Sequence, residues 1–167
     1  MFPLRVKEPD VGGESDMRIE LGDLDAQDVI ALLEAHIAQA RSVTPAGSSH
    51  TLDIHELKQP RLQFWVLRSG SVLAGCAALL ELDAQHAELK SMRSATAFLR
   101  RGVARQLLAH LIAEARRRGF SRISLDTGSL PFYEPARRLY ESAGFVECGP
   151  FADYREDPYK VFMTLEL

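Results

Sequence analysis

The period of the hydrophobic positions changes repeatedly along the chain, and each change marks an expected element. Residues 18–21 alternate and predict a first strand. Val29, Leu32, Leu33, His36, Ile37 and Ala40 recur at helical spacing behind Asp25, the expected N-cap, and predict a first helix with one buried stripe. Residues 42–50 have the composition of a loop, and residues 51–58 are expected to form a short second helix ending before Pro60. Residues 62–68 and the more apolar residues 72–82 flank Ser69 and Gly70 and read as a hairpin. A turn at residues 83–86 leads to a central strand over residues 87–93. Val103, Leu107, Leu108, Leu111, Ile112 and Ala115 mark the buried stripe of a helix over residues 103–118, stopped by Gly119. A strand at residues 122–126, a helix at 135–143 stopped by Gly144, and strands at 145–148 and 161–165 complete the series. Elements in this order predict an α+β fold, with helices on both faces of the sheet.

Composition narrows the class. A chain of 167 residues is expected to form one domain, over residues 17–167. Residues 1–16 are expected to be a mobile N-terminal tail, because Pro3, Pro9, Gly12 and Gly13 interrupt charged positions without any period. Hydrophobic residues at 46% and charged residues at 26% lie in the globular range. The net charge of −3 lacks the basic excess of a nucleic-acid or membrane-surface binder. No apolar run approaches the ~18 residues of a membrane span, and no signal peptide is evident, so a cytoplasmic protein is expected. Cys76 and Cys148 have no zinc-ligand spacing and read as reduced thiols, so no metal is expected. A nucleotide hydrolase is disfavoured, since no G-x-x-x-x-G-K-[ST] run occurs.

The stretch that carries chemistry joins the central strand to the periodic helix. Gly102 opens that helix, Val103 and Ala104 follow, and Arg100, Arg101 and Arg105 surround the start with positive charge. A helix N-terminus presents unpaired N–H groups and a partial positive charge, which suits a phosphate or pyrophosphate. Glycine and alanine let such a ligand approach the backbone.

These residues resemble motif A of the GNAT superfamily, the Gcn5-related N-acetyltransferases, whose signature is R/Q-x-x-G-x-G/A at a strand-to-helix turn. Gly102 and Ala104 occupy the two small positions, while Leu99 stands where the family has arginine or glutamine. Ala136, Leu139, Tyr140, Gly144 and Phe145 resemble motif B of the same family, A-x-x-L-Y-x-x-x-G-F. The resemblance implies the GNAT fold: a mixed, mostly antiparallel twisted sheet of about seven strands flanked by about four helices, splayed between strands four and five. It implies acetyl-CoA as cosubstrate, with its pyrophosphate on Leu99, Arg100, Arg101, Gly102, Val103, Ala104 and Arg105. The pantetheine arm would follow the strand edge at Met92, Arg93 and Ser94. Thr127, expected just beyond the fifth strand, and Tyr133, which replaces a frequent asparagine of the family, would border the same arm.

Direct acetyl transfer requires a bound donor, a neutral amine and a proton source or hydrogen bond for the departing thiolate. Tyr140 is the general acid that the resemblance implies. Glu88 lies where several GNAT enzymes carry the carboxylate that deprotonates the amine; its other reading is a charge paired with Lys90, its neighbour on the same strand face. Strand parity places Met92 on that face and Arg93 on the opposite one. His36, on the stripe of the first helix, and His50, in the acceptor-side loop, are further candidates for the base. A small-molecule amine, such as an amino acid, is the expected acceptor; a non-catalytic acyl-CoA-binding module is the alternative. GNAT proteins often form homodimers, although no sequence feature marks the surface here. The aromatic and charged loop at residues 149–160 reads equally as a cover for the site or as a subunit contact.

Overall fold

The computed structural model describes residues 16–167, so the expected tail lies outside the described residues except for Asp16. The elements are β1 (Met17–Leu21), α1 (Gln27–Val43), α2 (Ile54–Leu57), β2 (Leu62–Ser69), β3 (Val72–Glu81) and β4 (His86–Ser94), then α3 (Val103–Arg117), β5 (Arg122–Gly128), α4 (Glu134–Ser142), β6 (Val146–Cys148) and β7 (Lys160–Glu166). The strands form one sheet in the order β1-β2-β3-β4-β5-β7-β6. Among the described residues, β4–β5 is the one parallel pair.

Apolar stripes account for the layers. Leu107, Leu111 and Ala115 of α3 and Tyr140 of α4 join Leu79, Leu89, Ile123 and Leu125 in the core on one face. Val29 and Leu33 of α1, with Leu57 of α2, pack on Phe64, Val66 and Ala78 on the other. The start of α3 rests directly on β3, because a Cβ at Gly75 would lie 2.7 Å from Val103 Cγ1 and 2.8 Å from the Arg93 carbonyl.

Some local expectations are corrected. Helix α1 begins after Ala26 without a side-chain cap, and Asp25 instead accepts a hydrogen bond from Lys58 Nζ at 2.6 Å. The second helix is a single turn, started by a capping box in which Asp53 and Glu56 satisfy each other's backbone N–H. Strand β5 continues to Gly128, so Thr127 lies within it, because β7 pairs with β5 along its whole length.

Two features of β4 set up the site. Its pairing with β5 is confined to His86 with Arg122, Ala87 with Ile123 and Glu88 with Ser124; beyond these pairs the strands part. Against β3, Cys76 faces Arg93 while Ala78 faces Lys90, which leaves Ser91 and Met92 together opposite Ala77. This is a bulge, with Ser91 in the left-handed region at φ 52°, a conformation that costs roughly 1–2 kcal/mol outside glycine. The extra residue reverses the alternation. Arg93 therefore shares the face of Lys90 and reaches Gln39 of α1, while Met92 packs against the α3-side core, the reverse of the expected parity.

Candidate active site

The anion-binding end is built as the charge pattern suggests. Gly102 is the N-cap residue of α3 at φ 79°, no side chain caps the helix, and a Cβ there would meet nothing within 4 Å. Leu99 and Arg100 are exposed, Arg100 at φ 61°, and the Arg101 guanidinium lies 4.9 Å from the Phe98 ring centroid. Val103 is buried as the helix's anchor, Ala104 is half-buried and Arg105 exposed. The uncapped N–H groups therefore open toward free space, with arginines beside them.

Where β4 and β5 part, a cavity of about 140 Å³ runs between them. Leu89, Ser91 and Met92 line it from β4, Asp126 and Thr127 from β5, His36 and Ala40 from α1, and Ala136 and Tyr140 from α4. Tyr133 and Thr44 close one side through a 3.0 Å hydrogen bond between their hydroxyls. Tyr140 is buried, its ring 5.8 Å from that of Phe145, and its hydroxyl makes no hydrogen bond to another described residue. Burial and the nearby Asp126 charge push its phenol pKa upward, so it stays protonated. Ser91 Oγ is buried in this region without a partner among the described residues.

The wall on the α1 side is a charged network. Asp126 accepts from His50 Nδ1 and from Lys160 Nζ, each at 3.0 Å, and lies 3.8 Å from Lys90 Nζ. Burial alone would raise Asp126, but the His50 hydrogen bond and the two ammonium groups outweigh it and hold the carboxyl at about 2. A carboxyl lowered by folding stabilises the native state above the ordinary carboxylate range. Asp126 is thus expected to make stability fall as pH drops toward about 2, and Asp126→Asn should flatten that part of an acid-unfolding curve.

Tyr154, from the loop before β7, donates to Glu88 at 2.6 Å and accepts from Lys90 Nζ at 2.8 Å. Its ring stacks on His50 at 4.6 Å. Ser48 Oγ donates to Asp157 at 2.5 Å, so residues 149–159 are tied to the loop at residues 44–52. This loop packs on Glu88, Lys90 and His50, beside the cavity, and none of residues 149–159 lines the cavity itself.

Several predicted residues therefore converge on one cavity: Met92, Thr127, Tyr133 and Tyr140 line it, as do His36 and His50. Ser94 ends β4, and Arg93 is held by Gln39. Glu88 is only 2% exposed and does not line the cavity; burial pushes its pKa upward, and its contacts are Tyr154 and Lys90, 3.5 Å away. Burial and the Arg93 charge push His36 down to about 4, which keeps that imidazole neutral. Sequence reasoning did not select Asp126, Tyr154 or Lys160. The available signal was a carboxylate next to the apolar Leu125 and an ammonium at the start of a largely apolar strand, charges that must pair if buried.

Gly128 is required for a steric reason. A Cβ there would sit 1.9 Å from Tyr133 Cδ2. Gly128→Ala is expected to lose about 1–3 kcal/mol of stability by overpacking, read in denaturant unfolding, and to break the Tyr133–Thr44 contact.

Comparison with known proteins agrees with this geometry. The profile of the Acetyltransferase (GNAT) family matches residues 30–145. The chain is 49% identical over 151 residues to YsnE of Bacillus subtilis (strain 168), named an uncharacterized N-acetyltransferase; the match covers 90% of this chain and all of YsnE. An acetyltransferase of Streptococcus agalactiae superposes with a TM-score of 0.71 at 24% identity, covering 91% of this chain and 99% of that one. A GNAT family acetyltransferase of Elizabethkingia anophelis with acetyl-CoA bound superposes at 0.66 with 17% identity, covering 92% and 100%. The splayed sheet, the uncapped glycine start of α3 and the family match together establish that this chain belongs to the GNAT family of N-acetyltransferases.

Proposed function

We propose that this enzyme transfers the acetyl group of acetyl-CoA directly to the primary amine of a small molecule, an amino acid or related metabolite. The observation that carries the reading is the parting of β4 from β5 after three residue pairs, which leaves two unpaired strand edges at a cavity bordered by Tyr140. An acetyl-CoA molecule fits the residues present. The N–H groups after Gly102, with Arg100, Arg101 and Arg105, would hold its pyrophosphate, and the free edge at Met92, Arg93 and Ser94 would hold its pantetheine arm. Ser91 Oγ, buried without a partner, gives a polar ligand a group to satisfy. Thr127 and Tyr133 border the same passage. When bound, the thioester supplies the activated acyl carbon.

The chain's own residues do the rest. Tyr140, kept protonated by burial, hydrogen-bonds or protonates the departing sulfur. Glu88 fixes the Tyr154 hydroxyl and balances Lys90, so its influence on an acceptor passes through those two groups. A cavity of about 140 Å³ favours a small acceptor over a protein chain. Thiol release and product mass across a panel of amino acids, alkylamines and an unstructured peptide test this. Acetylation of a small amine is expected, whereas acetylation of the peptide alone would overturn the small-molecule reading.

A further inference from the structure

We infer that His50, oriented by Asp126, is the general base of this site and accepts a proton at Nε2 from a primary alkylammonium acceptor; this rests on the acetyl-transfer reading above. The loop at residues 44–52 has no regular structure, yet two contacts hold the ring and a third holds its backbone. Nδ1 lies 3.0 Å from Asp126 Oδ2, the ring stacks on Tyr154 with an interplanar angle of 24°, and the His50 carbonyl accepts from Lys90 Nζ at 3.1 Å.

Asp126 decides the tautomer. Its carboxyl stays ionised and can only accept hydrogen bonds, so in the neutral ring the hydrogen sits on Nδ1 and the lone pair on Nε2. No described residue hydrogen-bonds to Nε2, and the half-buried side chain lines the cavity that Tyr140 also lines. An imidazole held at one nitrogen by a buried carboxylate, free at the other and lining a reaction cavity, is equipped as a proton acceptor. Charges of both signs surround it: Lys90 with Glu88 behind it on β4, Asp126 on β5, Lys160 on β7, and Asp157 with the Tyr154 phenol in the loop before β7. Neutral His36 faces the same cavity from α1.

Such a base matters most for a strongly basic acceptor. An alkylamine of pKa ~10 is only about one part in a thousand neutral at pH 7, and an ammonium has no lone pair with which to attack. The protons balance as follows. The ammonium gives one proton to Nε2, which passes it to solvent. The freed nitrogen pair then forms the C–N bond, and the C–S electron pair leaves with sulfur. A second N–H proton is lost as the amide forms; Tyr140 gives its proton to sulfur and recovers that one.

The test uses His50→Gln, which keeps a donor for Asp126 and removes the base, beside Glu88→Gln. With a primary alkylamine, His50→Gln is expected to lower kcat/KM about 100-fold at pH 7, leaving a rate that follows the neutral fraction of the amine. With an alkoxyamine, which is neutral at pH 7, the loss should stay below about threefold, a contrast that a purely structural role would not produce. Histidine-selective 15N NMR of the free protein should show the neutral His50 ring protonated at Nδ1, and Asp126→Asn should shift that tautomer balance. Equal losses with both amines, an alkylamine-selective loss in Glu88→Gln rather than in His50→Gln, or protonation at Nε2 would overturn the inference. If the wild-type protein bound acetyl-CoA but acetylated no amine, the acetyl-transfer reading would fall. The tautomer measurement would still decide whether Nε2 is free to accept.

Discussion

Tyr140→Phe is expected to lower kcat by about 100- to 1,000-fold while leaving affinity for acetyl-CoA within about twofold. The substitution removes one oxygen and keeps the ring. That ring packs against Phe145 inside the α3-side core, so the fold should persist, as a thermal scan will show. The hydroxyl has no hydrogen bond to another described residue, and so its loss breaks no structural contact. What remains is its position on the cavity wall, where burial and Asp126 hold the proton in place. A fall in kcat without a change in binding is the signature of a group used as the thiolate leaves. A parallel rise in the acetyl-CoA dissociation constant would instead mark Tyr140 as part of the binding surface.

Gly102→Glu should weaken acetyl-CoA binding at least about 100-fold, close to 2.8 kcal/mol. Two effects combine at this position. The backbone sits at φ 79°, where any side chain is strained by roughly 1–2 kcal/mol, and a carboxylate is introduced where the N–H groups of α3 await an anion. Gly102→Ala separates them. Its methyl group meets no other atom within 4 Å, so it carries the strain without the charge and should bind acetyl-CoA much more tightly than the glutamate variant. Titration calorimetry with both variants reads the difference. Similar affinities for the two would move the pyrophosphate site away from α3.

The legibility of this chain followed the locality of each signal. The stripe of α3 and its glycine start depend on residues within a few positions of one another, and both were readable. Tyr140 was readable because its spacing to Gly144 and Phe145 matches a family motif. The orientation of Arg93 was not. It depends on a bulge at Ser91, a residue with no marked preference for the left-handed region, and a single extra residue reverses every later side chain in the strand. The His50–Asp126–Lys160 network was also hidden, because its members are 34 or more positions apart and meet only when β5, β7 and the loop at residues 44–52 close together. Asp25 misled for a related reason: a good capping residue found a lysine partner in space, and the helix started one residue beyond it, after Ala26.

The opening between β4 and β5 is expected to seat acetyl-CoA with its thioester beside Tyr140. A crystal structure of the acetyl-CoA complex tests it most directly. Pyrophosphate oxygens are expected on the backbone N–H groups that follow Gly102, the pantetheine along the free edge of β4, and the thioester sulfur within hydrogen-bonding reach of the Tyr140 hydroxyl. Density for the cosubstrate outside that opening, or a thioester remote from Tyr140, would contradict it.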